Sequence, residues 1–161
     1  MINKLKIMSV LSAMIFLAAC KPEIEGELGA PRDVFSGMAG TWVLDQFIQQ
    51  DPNNPILEER DLSEFYIVDG IEPMTLQLNA SDFTYTVDIT QGKNFFGDSG
   101  TWGVDNVEAP SQLMLYGGDT LTLNLGGMIF PYSTNMSLQY HRACSDGFKN
   151  AIYKFNFKRA Q

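Results

Sequence analysis

The chain has 161 residues, with 11 Lys and Arg against 19 Asp and Glu, and a formal charge of −8 at neutral pH. That acidic balance argues against a face built for nucleic acid or anionic lipid. The length suits one domain of moderate size, large enough to bury a core without staples.

Residues 1–19 have the plan of a secretory leader. Lys4 and Lys6 form the charged start, Ile7 to Leu17 the apolar centre, and Ala18-Ala19 the small residues before a cleavage point. The apolar run is too short to cross a bilayer as a helix. Leu17-Ala18-Ala19-Cys20 resembles the bacterial lipobox, which implies that Cys20 is lipidated and becomes the first residue of the mature protein. Each buried methylene contributes about 0.8 kcal/mol, so several acyl chains on Cys20 are expected to anchor the chain stably to a membrane. Removal of residues 1–19 takes Lys4 and Lys6 and no acid, leaving 9 basic and 19 acidic residues and a formal charge of −10. Cys144 is then the only other thiol, so no intrachain disulfide is expected.

Residues 20–36 read as an acidic, flexible tether, too poor in apolar residues to build structure. The alternation Glu23, Glu25, Glu27 either resembles the export signals of Bacteroidota-type surface lipoproteins or is an ordinary solvated linker. The folded domain is placed at 37–161.

Within that domain, runs of period two are separated by Gly, Asn, Asp and Pro, with no long helical period. Strands are predicted at 41–49, 74–79, 83–89, 101–105, 112–116, 120–125, 136–142 and 151–158. Tight turns at Ala80-Ser81-Asp82 and Gly117-Gly118-Asp119 define two hairpins. An even number of antiparallel strands allows the first to pair with the last, so the expectation is all-β: an eight-stranded antiparallel up-and-down barrel without free edges. Residues 50–73 become a long first connection. Asp61-Leu62-Ser63-Glu64 predicts a short capped helix there, running to about Tyr66, within a lid; a ninth strand at 65–68 competes with it.

Gly40-x-Trp42, the Asn79 to Asp82 turn before Phe83-Thr84-Tyr85, a second Gly100-x-Trp102, and a Leu-x-Leu hairpin together resemble the lipocalin-like (calycin-type) lipoproteins of unknown function of Bacteroidota-type bacteria. The resemblance covers residues 37–125. It implies a barrel carried on a lipid anchor, with Trp42 closing its floor and Arg159 packed on that ring.

Alternating strand direction sends the 50–73, 90–99, 117–118 and 143–150 connections to one end, here termed upper. By the resemblance, the lower end is closed, with Met128, Ile129 and Phe130 as its plug. Alternation predicts an inward set that includes Trp42, Leu44, Gln46, Phe83, Tyr85, Trp102, Tyr153, Phe155 and Phe157. So many rings favour a filled barrel over a hollow one.

Candidate ligand contacts gather at the upper mouth: Phe65 and Tyr66 on the lid, Lys93, Phe95 and Phe96 between two glycines, and Trp102. One of the two adjacent phenylalanines is also expected to fold back over the core. His141, Cys144 and Asp146 contain a base, a thiol and an acid but no orienting third group or oxyanion site, so no catalysis is expected of them, and they are too few for a closed zinc site. The acidic run Glu58, Glu59, Asp61, Glu64 lacks calcium-loop spacing. No cofactor is implied. The expectation is a non-enzymatic lipoprotein of the bacterial outer membrane, periplasmic or surface-exposed, that binds a small apolar molecule or glycan. The alternative is a filled barrel that docks onto another envelope protein.

Overall fold

A computed structural model describes residues 33–54, 56, 58–143 and 149–160. Cys20, Cys144 and Asp146, together with most of the tether, lie outside the described residues.

A short helix α1 (Val34–Met38) precedes nine strands: β1 (Gly40–Gln50), β2 (Glu59–Asp61), β3 (Thr75–Leu78), β4 (Thr84–Asp88), β5 (Ser99–Val104), β6 (Gln112–Tyr116), β7 (Thr120–Leu125), β8 (Asn135–Ala143) and β9 (Lys149–Arg159). Strands β1 and β3–β9 pair antiparallel in chain order, and β1 pairs with β9 from Trp42↔Arg159 to Gln50↔Ile152. The result is a closed eight-stranded up-and-down barrel. Closure gives the first and last strands each other as partners in place of two free edges.

The added strand β2 continues one edge of β1. There β3 pairs with residues 40–43 and β2 with residues 48–50, so the two share the edge. Part of the expected lid, Glu59–Asp61, is therefore wall. Its helix is a single 3-10 turn (Ser63–Phe65), and the ninth strand forms at 59–61 rather than at 65–68. Asp61 Oδ1 accepts from the Ser63 amide at 2.9 Å, while Ser63 Oγ accepts from the Phe47 amide at 2.9 Å. Ser63 thus fastens this turn to β1 instead of capping a longer helix.

Two departures from simple alternation set which side chains fill the barrel. In β1 the register with β9 shifts between Leu44 and Gln46, a β-bulge that leaves Asp45 as the extra residue. Leu44 and Phe47 both turn inward, 2% and 3% exposed, and Gln46 turns out. The expectation that Gln46 faces the core is thereby corrected: an extra residue resets the period of two. Gln46 Oε1 instead accepts from Asn156 Nδ2 at 3.1 Å, and Asn156 Oδ1 accepts from Ser137 Oγ at 2.8 Å, a polar row across three strands of the outer face. Phe83 departs likewise. It lies before β4 with φ +55°, a left-handed conformation that removes it from the strand's alternation, and it is 40% exposed.

The lower end is closed by α1, which the sequence assigns partly to the tether. Asp33 Oδ1 accepts from the Ser36 amide at 3.1 Å and caps the helix. Val34 and Met38, four residues apart on one face, are buried in the core. Gly37 is required here, since a Cβ would stand 2.9 Å from the Phe130 backbone carbon. Of the expected plug, Ile129 is buried, whereas Met128 is 52% exposed. The Arg159 guanidinium stacks 4.3 Å from the Trp42 ring and donates to the carbonyls of Gly37, Ala39 and Ser133. It holds the helix, the 130s loop and the floor ring together.

Candidate functional site

Loop 89–98 covers the upper end, and two buried tyrosines reach up from below to hold it. The Tyr66 hydroxyl donates to the Lys93 carbonyl at 2.8 Å and accepts from the Lys93 amide at 3.2 Å. The Tyr85 hydroxyl donates to the Phe96 carbonyl at 2.9 Å. Burial pushes the acidity constants of both phenols up from the usual value of 10.0, so both stay neutral donors across the physiological range. Gly92 has φ +93°, and a Cβ there would lie 2.5 Å from Tyr66 Cε1, so only glycine lets the loop settle on that ring. Within the loop, Asn94 Oδ1 accepts from the Phe96 amide at 2.9 Å.

This loop splits its two phenylalanines. Phe96 drops into the barrel, 3% exposed, with its ring 4.8 Å from Phe155 and 6.2 Å from Phe157. It is the ring that caps the core. Phe95 stays higher and half-buried, 5.2 Å from Tyr153 and 6.1 Å from Phe47. Tyr66 packs edge-on against Phe47 at 4.7 Å and is itself buried. Phe65 remains 52% exposed.

Between these rings runs an open groove of about 440 Å³, lined by Phe47, Leu62, Phe65, Tyr66, Phe95 and Tyr153, with Gln49, Gln91, Gly92 and Lys93 completing it. The volume is at the small end of the range that holds ligands. The expected contacts Phe65, Tyr66, Lys93 and Phe95 are thus brought together. Phe47, Leu62 and Tyr153 belong to the same wall and were absent from that set. The adjacent apolar pair Phe47-Ile48, which breaks alternation in β1, is the sequence signal that could have revealed Phe47.

Phe96 and Trp102 do not join the groove. Trp102 is at the lower end: it is 3% exposed, its indole N–H donates to the Asn79 carbonyl at 3.0 Å, and its ring packs against Phe35 and Phe83. The expected placement near the mouth is corrected by the start of β5, which begins at Ser99, two residues before the expected boundary, and so carries Trp102 further down the barrel. Both tryptophans therefore serve the closed end, for Trp42 Nε1 also donates downward, to the Met38 carbonyl at 2.8 Å.

A second hollow of about 420 Å³ opens on the outer face near the floor, beside Asp45, Gln46, Ser137, Asn156 and the 126–129 loop. Its polar row is satisfied internally, and Asp45 pairs with Lys158 at 2.7 Å, so its polar side chains are already engaged with one another.

On β8, His141 lies with Nε2 3.3 Å from Asn124 Nδ2. Among the described residues no group of three or more His, Cys, Asp or Glu could hold a metal ion. No described helix is long and apolar enough to cross a membrane. No protein-family profile matches the chain, and no curated protein matches it.

Proposed function

We propose that this protein is a non-enzymatic lipoprotein of the bacterial outer membrane, anchored through Cys20, that binds a small apolar molecule or the apolar face of a glycan ring in its upper groove. The carrying observation is the groove itself: aromatic side chains from β1, the 62–66 turn, loop 89–98 and β9 converge on one open slot, with Phe65 left 52% exposed. An exposed ring beside partly covered ones is a surface whose burial by a ligand is favourable. The closed barrel and the Arg159–Trp42 stack support the likeness to lipocalin-like lipoproteins, with the difference that the proposed binding surface is the groove at the mouth.

Native mass spectrometry of the membrane-extracted protein and a thermal-shift screen against lipids and glycans test this reading. A retained species, or a rise in melting temperature that Phe65→Ala abolishes, is expected. No retained species and no shift with any compound would contradict it.

One observation favours a second reading, a protein-interaction module of an envelope complex: Phe96, Phe155 and Phe157 fill the barrel axis, leaving binding to the outside. Cross-linking in cells followed by pull-down separates the two, because a module of this kind returns a stoichiometric partner and a groove binder does not.

A further inference from the structure

The groove is apolar along most of its length, yet it carries charge at one place. Lys93 is the single charged side chain among the residues that line it, in a chain whose formal charge is −8. Its backbone is fixed on both sides by the Tyr66 hydroxyl, and its ammonium stands 5.2 Å from the centre of the Phe95 ring. A ring face steadies a cation without neutralising it. The two ion pairs among the described residues, Lys154–Glu59 and Lys158–Asp45, use other lysines. Gln49 and Gln91 add only neutral amides.

From this arrangement we infer that the groove selects amphipathic anions. An apolar chain or ring lies along Phe65, Phe95 and Tyr153, and an anionic head, carboxylate or phosphate, pairs with the Lys93 ammonium. The inference rests on the groove-binding reading above and gives that site its ligand class. The chain's overall negative charge does not oppose it strongly, because exposed charges beyond about 8 Å are screened at physiological salt, whereas a head group on Lys93 is in direct contact. An apolar wall with one unneutralised cation is complementary to an amphiphile and to neither a neutral hydrocarbon nor a plain anion.

The test is calorimetric titration of the purified full chain with decanoate below its micellar concentration and with its neutral counterpart decanol below its solubility limit. Decanoate is expected to bind roughly two- to fivefold more tightly, the gain of a solvent-exposed ion pair. Lys93→Gln, whose side chain is exposed so that folding is retained, should erase the preference, and Lys93→Arg should restore it. Lengthening the chain by one methylene should tighten both ligands by up to about fourfold. Equal binding of decanoate and decanol, or a preference that survives Lys93→Gln, overturns the anionic selectivity while leaving the groove-binding reading standing. Binding of neither ligand overturns the selectivity for amphipathic anions and the apolar-molecule form of the groove reading, and leaves the glycan form to the thermal-shift screen. Flotation of the Cys20→Ala chain, which cannot carry the acyl anchor, with phosphatidylglycerol vesicles, compared with phosphatidylcholine, identifies the source of the head group. Lys93-dependent capture by the former supports a lipid phosphate, and decanoate selectivity without capture supports a free amphiphile.

Discussion

The Tyr66 hydroxyl holds the Lys93 peptide from both directions, donating to its carbonyl at 2.8 Å and accepting from its amide at 3.2 Å. This one phenol joins the first connection of the barrel to the loop that roofs it. Tyr66→Phe keeps the ring against Phe47 but leaves both Lys93 backbone groups without that partner. A loss of about 1–2 kcal/mol in chemical denaturation is expected, together with faster hydrogen exchange confined to loop 89–98. Uniform protection across the loop in the variant would show that the phenol does not set its order.

Gly92→Ala should act on the same contact from the other side. The added methyl meets the Tyr66 ring and the backbone must hold a positive φ. A destabilisation of about 1–3 kcal/mol is expected in urea melts, larger than that of Gly118→Ala, where a Cβ meets nothing within 4 Å.

At the floor, Arg159→Lys should fail to rescue Arg159→Met. One ammonium cannot reach three carbonyls and stack on Trp42 as the planar guanidinium does. Both variants should lose about 2–3 kcal/mol by denaturation. Full recovery in the lysine variant would reduce the role of Arg159 to charge alone.

Trp102→Ala should cost about 3–5 kcal/mol, as expected for a buried ring, and should leave ligand affinity at the groove unchanged in the folded fraction. A specific loss of affinity without loss of stability would return Trp102 to the binding surface.

The Asp105 carboxyl is held at about 2, below the usual 3.8, chiefly by the Ser111 hydroxyl and further by the Ser111 and Gln112 amides. A depressed folded-state value stabilises the fold above the unfolded value. That contribution declines as pH falls below 3.8 and is gone below about 2. The group is largely exposed, so the effect is small. The melting-temperature difference between wild type and Asp105→Ala should therefore narrow between pH 5 and pH 2, roughly across those two values.

Much of the fold was legible because its cues are local. The hairpin Gln112–Tyr116 and Thr120–Leu125 has the boundaries its alternating leucines and Gly117-Gly118-Asp119 turn dictate, and parity then closes the barrel. What escaped depended on single-residue events. A bulge at Asp45 has no composition of its own, so Phe47 was missed as a core and groove residue. The helix α1 is only five residues long, and its Asp33 cap and Val34–Met38 spacing are easily read as tether. Trp102 changed ends because a strand start moved by two residues. Of the candidate groove, Phe65, Tyr66, Lys93 and Phe95 were legible as rings and a lysine in two connections at one end, but its partners from β1 and β9 were not, since only closure brings them alongside.

The most direct measurement is backbone amide chemical-shift mapping of the full chain titrated with decanoate. The largest changes are expected to cluster at residues 62–66, 91–95 and 153. Changes centred on the outer hollow near Gln46, Ser137 and Asn156, or no localised changes at saturating ligand, would contradict it.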